Sequence, residues 1–260
     1  MRPGTAAPGY WTPAPGAAPA LRMLRAQTGL EVRLNARNGE QLLLTLVIPV
    51  VLLVALCTVR IIDLGEGARV DVVTPGILAL AVMSTAFTGQ AIATGFERRY
   101  GALKLLGASP LPRWLLLTAK TLAVLLVETG QVLLLSAVAL ALGWSPHGSW
   151  WAVGVLLVAG TCAFSALGLT LAGVLRAEAT LAVANGIYVL LLLGGGVVVP
   201  LALLPQWLAQ LDSWLPSGAL AEGLREVLIA GAPLPLDRVG VLLAWTAVGA
   251  VAGALTFRWE

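Results

Sequence analysis

This sequence predicts an all-α fold threaded several times through a membrane, and three observations predict it. Of its 260 residues, 58% are hydrophobic and only 11% are charged. The mean hydropathy is +0.90. The apolar residues also collect into runs of about 20, the length a helix needs to cross about 30 Å of hydrocarbon. No water-soluble domain has an interior that hides such a fraction. A formal charge of +3 would hint at nucleic acid in a soluble chain. Here the basic residues gather in short segments between apolar runs, where they set topology, so the expected surroundings are a lipid bilayer, with no nucleic-acid partner. The excess of Arg over Lys, with abundant Ala, Gly, Leu and Val, points to a high-GC bacterial genome and hence a bacterial plasma membrane.

Residues 1–20 carry Pro3, Pro8, Pro13, Pro15 and Pro19 and are expected to be a disordered cytoplasmic tail, since such a segment builds neither a helix nor a core. Residues 21–38 predict an amphipathic helix on the inner membrane surface. At 100° per residue, Arg22, Arg25, Arg33 and Arg37 fall within an arc of roughly 120°, with Met23, Leu30 and Leu34 beside it. Six apolar spans follow, at about 41–60, 73–95, 113–142, 150–174, 181–200 and 238–257. Between the fifth and sixth, Pro205, Pro216, Pro233 and Pro235 break the chain while Trp207 and Trp214 suit an interface. Two short re-entrant helices are expected there. Gly194, Gly195 and Gly196 weaken the fifth span and permit a bend or close packing. In the fourth, Gly168 and Ala172 have the small-xxx-small spacing of a helix contact.

Orientation follows from Lys and Arg in short loops. Arg22 to Arg37, the loop with Arg98, Arg99, Lys104 and Arg113, then Arg176 and Arg258 fall on one side of a six-span topology, and the other side is acidic on balance. The basic side is the cytoplasm, so both termini are expected inside.

Catalytic signals fail direct checks. There is no G-x-x-x-x-G-K-[ST] and no H-E-x-x-H, and the single histidine, His147, sits in a short loop. No catalytic residues and no metal ligands are assigned. Cys57 and Cys162 lie in apolar runs and read as packing residues. Two ionisable residues lie inside the third span. Lys120, about two turns from Arg113, reads as a side chain that snorkels to the headgroups. Glu128 lies deeper, where a carboxylate is a candidate for a substrate pathway or gate; the alternative is a structural hydrogen bond to a neighbouring helix or Gln131. Gln131 and Gly195 join Glu128 as candidates for that pathway.

The most informative stretch is FERRYGALKLLGASPLPRW, from Phe96 to Trp114. It is too polar to stay in a bilayer, yet Leu103, Leu105, Leu106 and Leu111 give it an apolar side, and Pro110 and Pro112 end any helix before the third span. A short amphipathic helix held between two membrane helices is a contact surface for a partner.

With Glu97, Arg98, Arg99, Gly101, Leu103, Leu106, Ser109, Pro110 and Leu111 in this loop, and Pro216 and Arg225 in LPSGALAEGLREVL, the sequence resembles the ABC-2 family of ABC transporter permeases. The resemblance covers the whole transmembrane region, 39–260. It implies a membrane subunit of an exporter for an amphiphilic or hydrophobic cargo, such as a drug, an antibiotic or a lipid. It further implies pairing with a second permease subunit and a separate ATPase subunit that binds the ATP, so no cofactor belongs to this chain. Glu97, Arg98, Arg99, Gly101, Leu103, Lys104, Leu106 and Pro110 would then couple the ATPase to the membrane helices. An importer permease would want E-A-A where Glu97, Arg98 and Arg99 stand. The competing class is an ATP-independent channel or a membrane assembly factor.

Overall fold

The computed structural model describes residues 18–59, 68–194, 196–197 and 206–256, and all of its regular structure there is helical. Helix α1 spans Ala20–Arg37 and α2 spans Gly39–Thr58. A long second span follows in three parts: α3 (Arg69–Val82), a π-helical segment (Met83–Gly89) and α4 (Gln90–Arg99). Helix α5 (Ala102–Gly107) leads into α6 (Arg113–Ala141), α7 (Trp150–Val174) and α8 (Ala177–Gly194). Two short helices, α9 (Gln206–Asp212) and α10 (Pro216–Leu228), precede α11 (Leu236–Thr256).

Five of these stretches are long and apolar enough to cross a membrane: Arg69–Arg99, Arg113–Ala141, Trp150–Val174, Ala177–Gly194 and Leu236–Thr256. They coincide with the second to sixth expected spans. The first expected span falls on α2, of which Thr45–Thr58 is the apolar part among the described residues. The fifth expected span falls on α8, which runs to Gly194, while its last expected residues, 198–200, lie outside the described residues. Gly196 has φ +57°, a left-handed value that stops a helix, so it turns the chain just past α8. Gly195 itself lies outside the described residues, as does most of the expected tail.

The second span is the centre of the bundle. Along α3 nearly every residue from Val73 to Val82 is buried, because α2, α6, α7 and α10 all pack on it. The π segment lies against α7, where Gly168 is needed: a Cβ there would sit 2.7 Å from the Phe87 carbonyl oxygen, closer than carbon and oxygen can pack. At the far end α10 is buried along almost its whole length, against α3, α7 and α11, and the His147 amide donates to the Leu228 carbonyl at 3.1 Å. The bundle thus has an α5 end and an α10 end.

Candidate functional site

Three polar helical stripes converge at the α5 end. On α1 the stripe is Gln27, Glu31 and Asn35; on α4 it is Gln90, Thr94 and Glu97; on α6 Lys120 and Gln131 lie eleven residues, or three turns, apart. The π segment positions the second stripe. A π turn inserts an extra residue into the helical repeat, and the face of α4 that follows it turns Gln90, Thr94 and Glu97 toward α6 and α1.

Lys120 is the junction. It is only 4% exposed, and its Nζ lies 3.0 Å from Glu31 Oε2 and 2.7 Å from Glu97 Oε2, with Glu97 Oε1 at 2.9 Å. Glu31 also accepts from Gln27 Nε2 at 2.8 Å. One ammonium group therefore holds α1, α4 and α6 together. This corrects the snorkelling reading of Lys120: two carboxylates from other helices give the ammonium group nearer partners than the headgroups. A buried charge without such partners would cost several kcal/mol.

Above the junction lies a polar cavity. Its walls are Glu31 and Asn35 from α1, Thr45 from α2, Thr85 and Gly89 from the π segment, Gln90, Thr94 and Glu97 from α4, and Lys120 with Val124 and Val127 from α6. Gln131 lies behind two of these wall residues, Thr45 and Thr85. It accepts from Thr85 Oγ1 at 3.0 Å and donates to the Thr45 carbonyl at 2.5 Å, so it links α6 to α2 and to the π segment. Glu128 points elsewhere. It sits on the α7 side of α6, where its Oε2 accepts from the Thr161 hydroxyl, and it does not line this cavity.

The remaining loop residues divide into two sets. Arg98 and Arg99 turn back onto the α7–α8 junction. Arg98 donates to the carbonyl of Gly173 at 2.7 Å and to that of Leu175, while Arg99 pairs with Glu178. The first cap satisfies carbonyls left open at a helix end and places a cation at its negative pole. The pair with Glu178 is exposed on both sides and contributes little. Gly101, at φ +77°, makes the turn into α5 that a side chain would strain. Leu103 is fully buried with Leu116, and Leu106 and Leu111 pack against that pair. The Ser109 hydroxyl donates to the Leu106 carbonyl at 2.6 Å, shaping the turn ahead of Pro110. What the loop presents outward is Tyr100, Lys104, Leu105 and Pro110, with Tyr100 and Leu105 about three-quarters exposed at 76% and 77%.

At the α10 end, Arg225 is buried and donates to the carbonyls of Gly196 at 2.6 Å and Val197 at 2.9 Å, beside Glu222 at 2.6 Å. It clamps the chain that leaves α8. Asp212 is fully buried, with neither carboxylate oxygen meeting a partner among the described residues. Burial pushes its pKa up to about 7; the Glu222 carboxylate adds to this, and Arg225 and Arg238 partly offset it.

Residues 24–229 match the ABC-2 type transporter family, a stretch that runs from α1 through α10. The chain belongs to the ABC-2 type transporter family. This ABC-2 chain is also 30% identical over 141 residues to YvfS of Bacillus subtilis (strain 168), a protein that bears the name of a transport permease; the aligned stretch is 53% of the chain and 57% of that relative. The chain thus spans a little over half the length of the relative it matches. Membership places it among membrane transport subunits. Within the matched region, sequence reasoning missed Glu31, and with it the cavity residues Thr85, Gln90 and Thr94. The available signal for Glu31 was an acidic residue spaced four from Gln27 on a helix otherwise read as basic.

Proposed function

We propose that this ABC-2 chain is the permease subunit of an ATP-driven exporter, moving an amphiphilic or hydrophobic substrate outward across a bacterial plasma membrane. A separate ATPase subunit supplies the work, and two permease subunits form the pathway between them. In this reading the α5 end and both termini are cytoplasmic, α2 completes six spans, and α9 and α10 form the re-entrant section before the last. The transport-permease name of the Bacillus relative supports a transport role.

The observation that carries the reading is the Glu31–Lys120–Glu97 junction. An ATPase can shift the membrane helices only through contacts that differ between its closed and open states. The α4–α5 loop is the surface available for such contacts, through Tyr100, Lys104, Leu105 and Pro110. Leu103 anchors that loop to α6, and Lys120 ties the same region to α1. A push on α5 therefore reaches α1, α4 and α6 as one body. Arg98 and Arg99 act from behind, carrying the movement to the α7–α8 junction. Further in, Gln131 joins α6, α2 and the π segment; Gln131, Glu128 on the α7 side and Gly195 are the candidates for a substrate pathway or gate.

Purification of the tagged chain from its native membranes, with partners identified by mass spectrometry, tests this. An ABC ATPase copurifies with the unaltered chain. Leu105→Glu combined with Lys104→Glu removes it while the chain still inserts and runs as a monodisperse particle. A chain that retains its ATPase after both substitutions contradicts the docking site, and a chain that brings down no ATPase contradicts the exporter.

A further inference from the structure

We propose that the cavity between α1, the π segment, α4 and α6 is a binding site for a small cation bearing N–H donors, an ammonium or primary alkylammonium group. The inference stands on the cavity itself and does not depend on an ATPase partner.

Charge gives the sign of the ligand. Glu31, Glu97 and Lys120 all line the cavity, and with both carboxylates ionised the described lining residues carry two negative charges against one ammonium. A surplus negative charge at a buried site is met either by a proton or by a partner of opposite sign. Anions are excluded on the same ground.

Hydrogen bonding gives its chemistry. The Lys120 ammonium is already engaged with both carboxylates, and the Thr85 hydroxyl proton goes to Gln131. What faces the cavity is therefore rich in acceptors: the unused lone pairs of Glu31 and Glu97, and the Thr85 oxygen. The decisive observation is Gln90. It is 5% exposed and lines the cavity, yet neither Oε1 nor Nε2 meets a partner among the described residues. A buried amide held this way is costly; its carbonyl oxygen is an acceptor of the kind an N–H cation uses, and its Nε2 is left to donate to a water or to a neighbouring acceptor.

Volume gives its size. About 40 Å³ is open to water-sized groups, roughly two or three of them. That admits an ammonium head and excludes a quaternary one, which is bulkier and has no N–H to give. The same chemistry comes from free ammonium or from the head of an amphiphilic amine whose tail leaves between the helices.

The experiment is equilibrium binding of radiolabelled methylammonium to the full-length chain in nanodiscs of neutral lipid. The expected result is saturable binding near one per chain, competed by ammonium and not by tetramethylammonium. Gln90→Leu weakens it about tenfold or more, as loss of a hydrogen bond to a charged group requires. Gln90→Glu, which adds a negative charge at the same place, tightens it, and this keeps the test decisive where Gln90→Leu fails to fold. At matched concentrations in the lipid, dodecylammonium displaces the label at least as well as methylammonium where the ligand is an amphiphile head, and fails to displace it where the site takes only the free ion. Absence of saturable binding by the folded protein, or binding unchanged in both Gln90 variants, overturns the proposal and leaves the cavity as a site for water only.

Discussion

At the α5 end of the bundle, Lys120 is enclosed by two carboxylates from two other helices, whereas at the α10 end Asp212 is equally buried with no partner among the described residues. The difference lies in how charge is held in a medium that penalises it. The first arrangement fixes helices relative to one another, because moving any one of them exposes an unpaired charge in low dielectric. The second makes local stability depend on protonation. The α5 end is thus built to move as a unit, and the α10 end is built to be held by Arg225, whose fork grips two backbone carbonyls.

Unfolding measurements at the two ends break or sharpen this contrast. The largest effect is expected from Lys120→Met, which leaves Glu31 and Glu97 buried together without their counter-charge. A loss of about 3–5 kcal/mol is expected in thermal or denaturant unfolding in a fixed detergent. The triple replacement Glu31→Gln, Lys120→Met and Glu97→Gln recovers much of it, since the cost lies in unpaired charge. Next is Arg225→Ala, which abandons the carbonyls of Gly196 and Val197; the same assay should register a loss of about 2–3 kcal/mol.

A pH-dependent effect belongs to Asp212. Its folded pKa, about 7, stands above the ordinary carboxylate value of about 4. Between those values the folded chain holds a proton that the unfolded chain has released, so stability falls as pH rises through this window. Above about pH 7 the cost is fully expressed. Asp212→Asn should flatten the stability profile between pH 4 and 7, and an unchanged slope would assign the dependence to another group. Smallest of all is Leu105→Glu, at an exposed position, with an expected change within about 0.5 kcal/mol.

The helices themselves were legible from the sequence because apolar runs of the right length have few alternatives in a membrane. The spans at 113–142 and 150–174 agree with Arg113–Ala141 and Trp150–Val174 nearly to the residue. The loop was legible too, because Leu103 and Pro110 break the pattern of a passive basic connector. Partnerships across helices were not. Lys120 and Glu31 are 89 residues apart, and no local spacing connects them. On α1, the basic arc drew the reading toward Leu30 and Leu34, which are exposed on this chain, whereas the buried stripe is Gln27 and Glu31. The π segment was invisible for the same reason: its residues have no distinguishing pattern, yet it sets which face of α4 meets α6.

The central claim is that α1 and α6 move together because Lys120 joins them. Its most direct test is the spin-label distance between Arg25→Cys on α1 and Thr118→Cys on α6, both exposed positions, with Cys57 and Cys162 replaced by Ala. The distance is measured in the assembled complex, with and without nucleotide trapped in the ATPase. The account predicts one narrow distribution that trapping leaves unchanged, and a broadened or shifted one in the triple variant Glu31→Gln, Lys120→Met, Glu97→Gln. A distance that changes on trapping while the junction is intact, or one that stays fixed after the junction is removed, would contradict it.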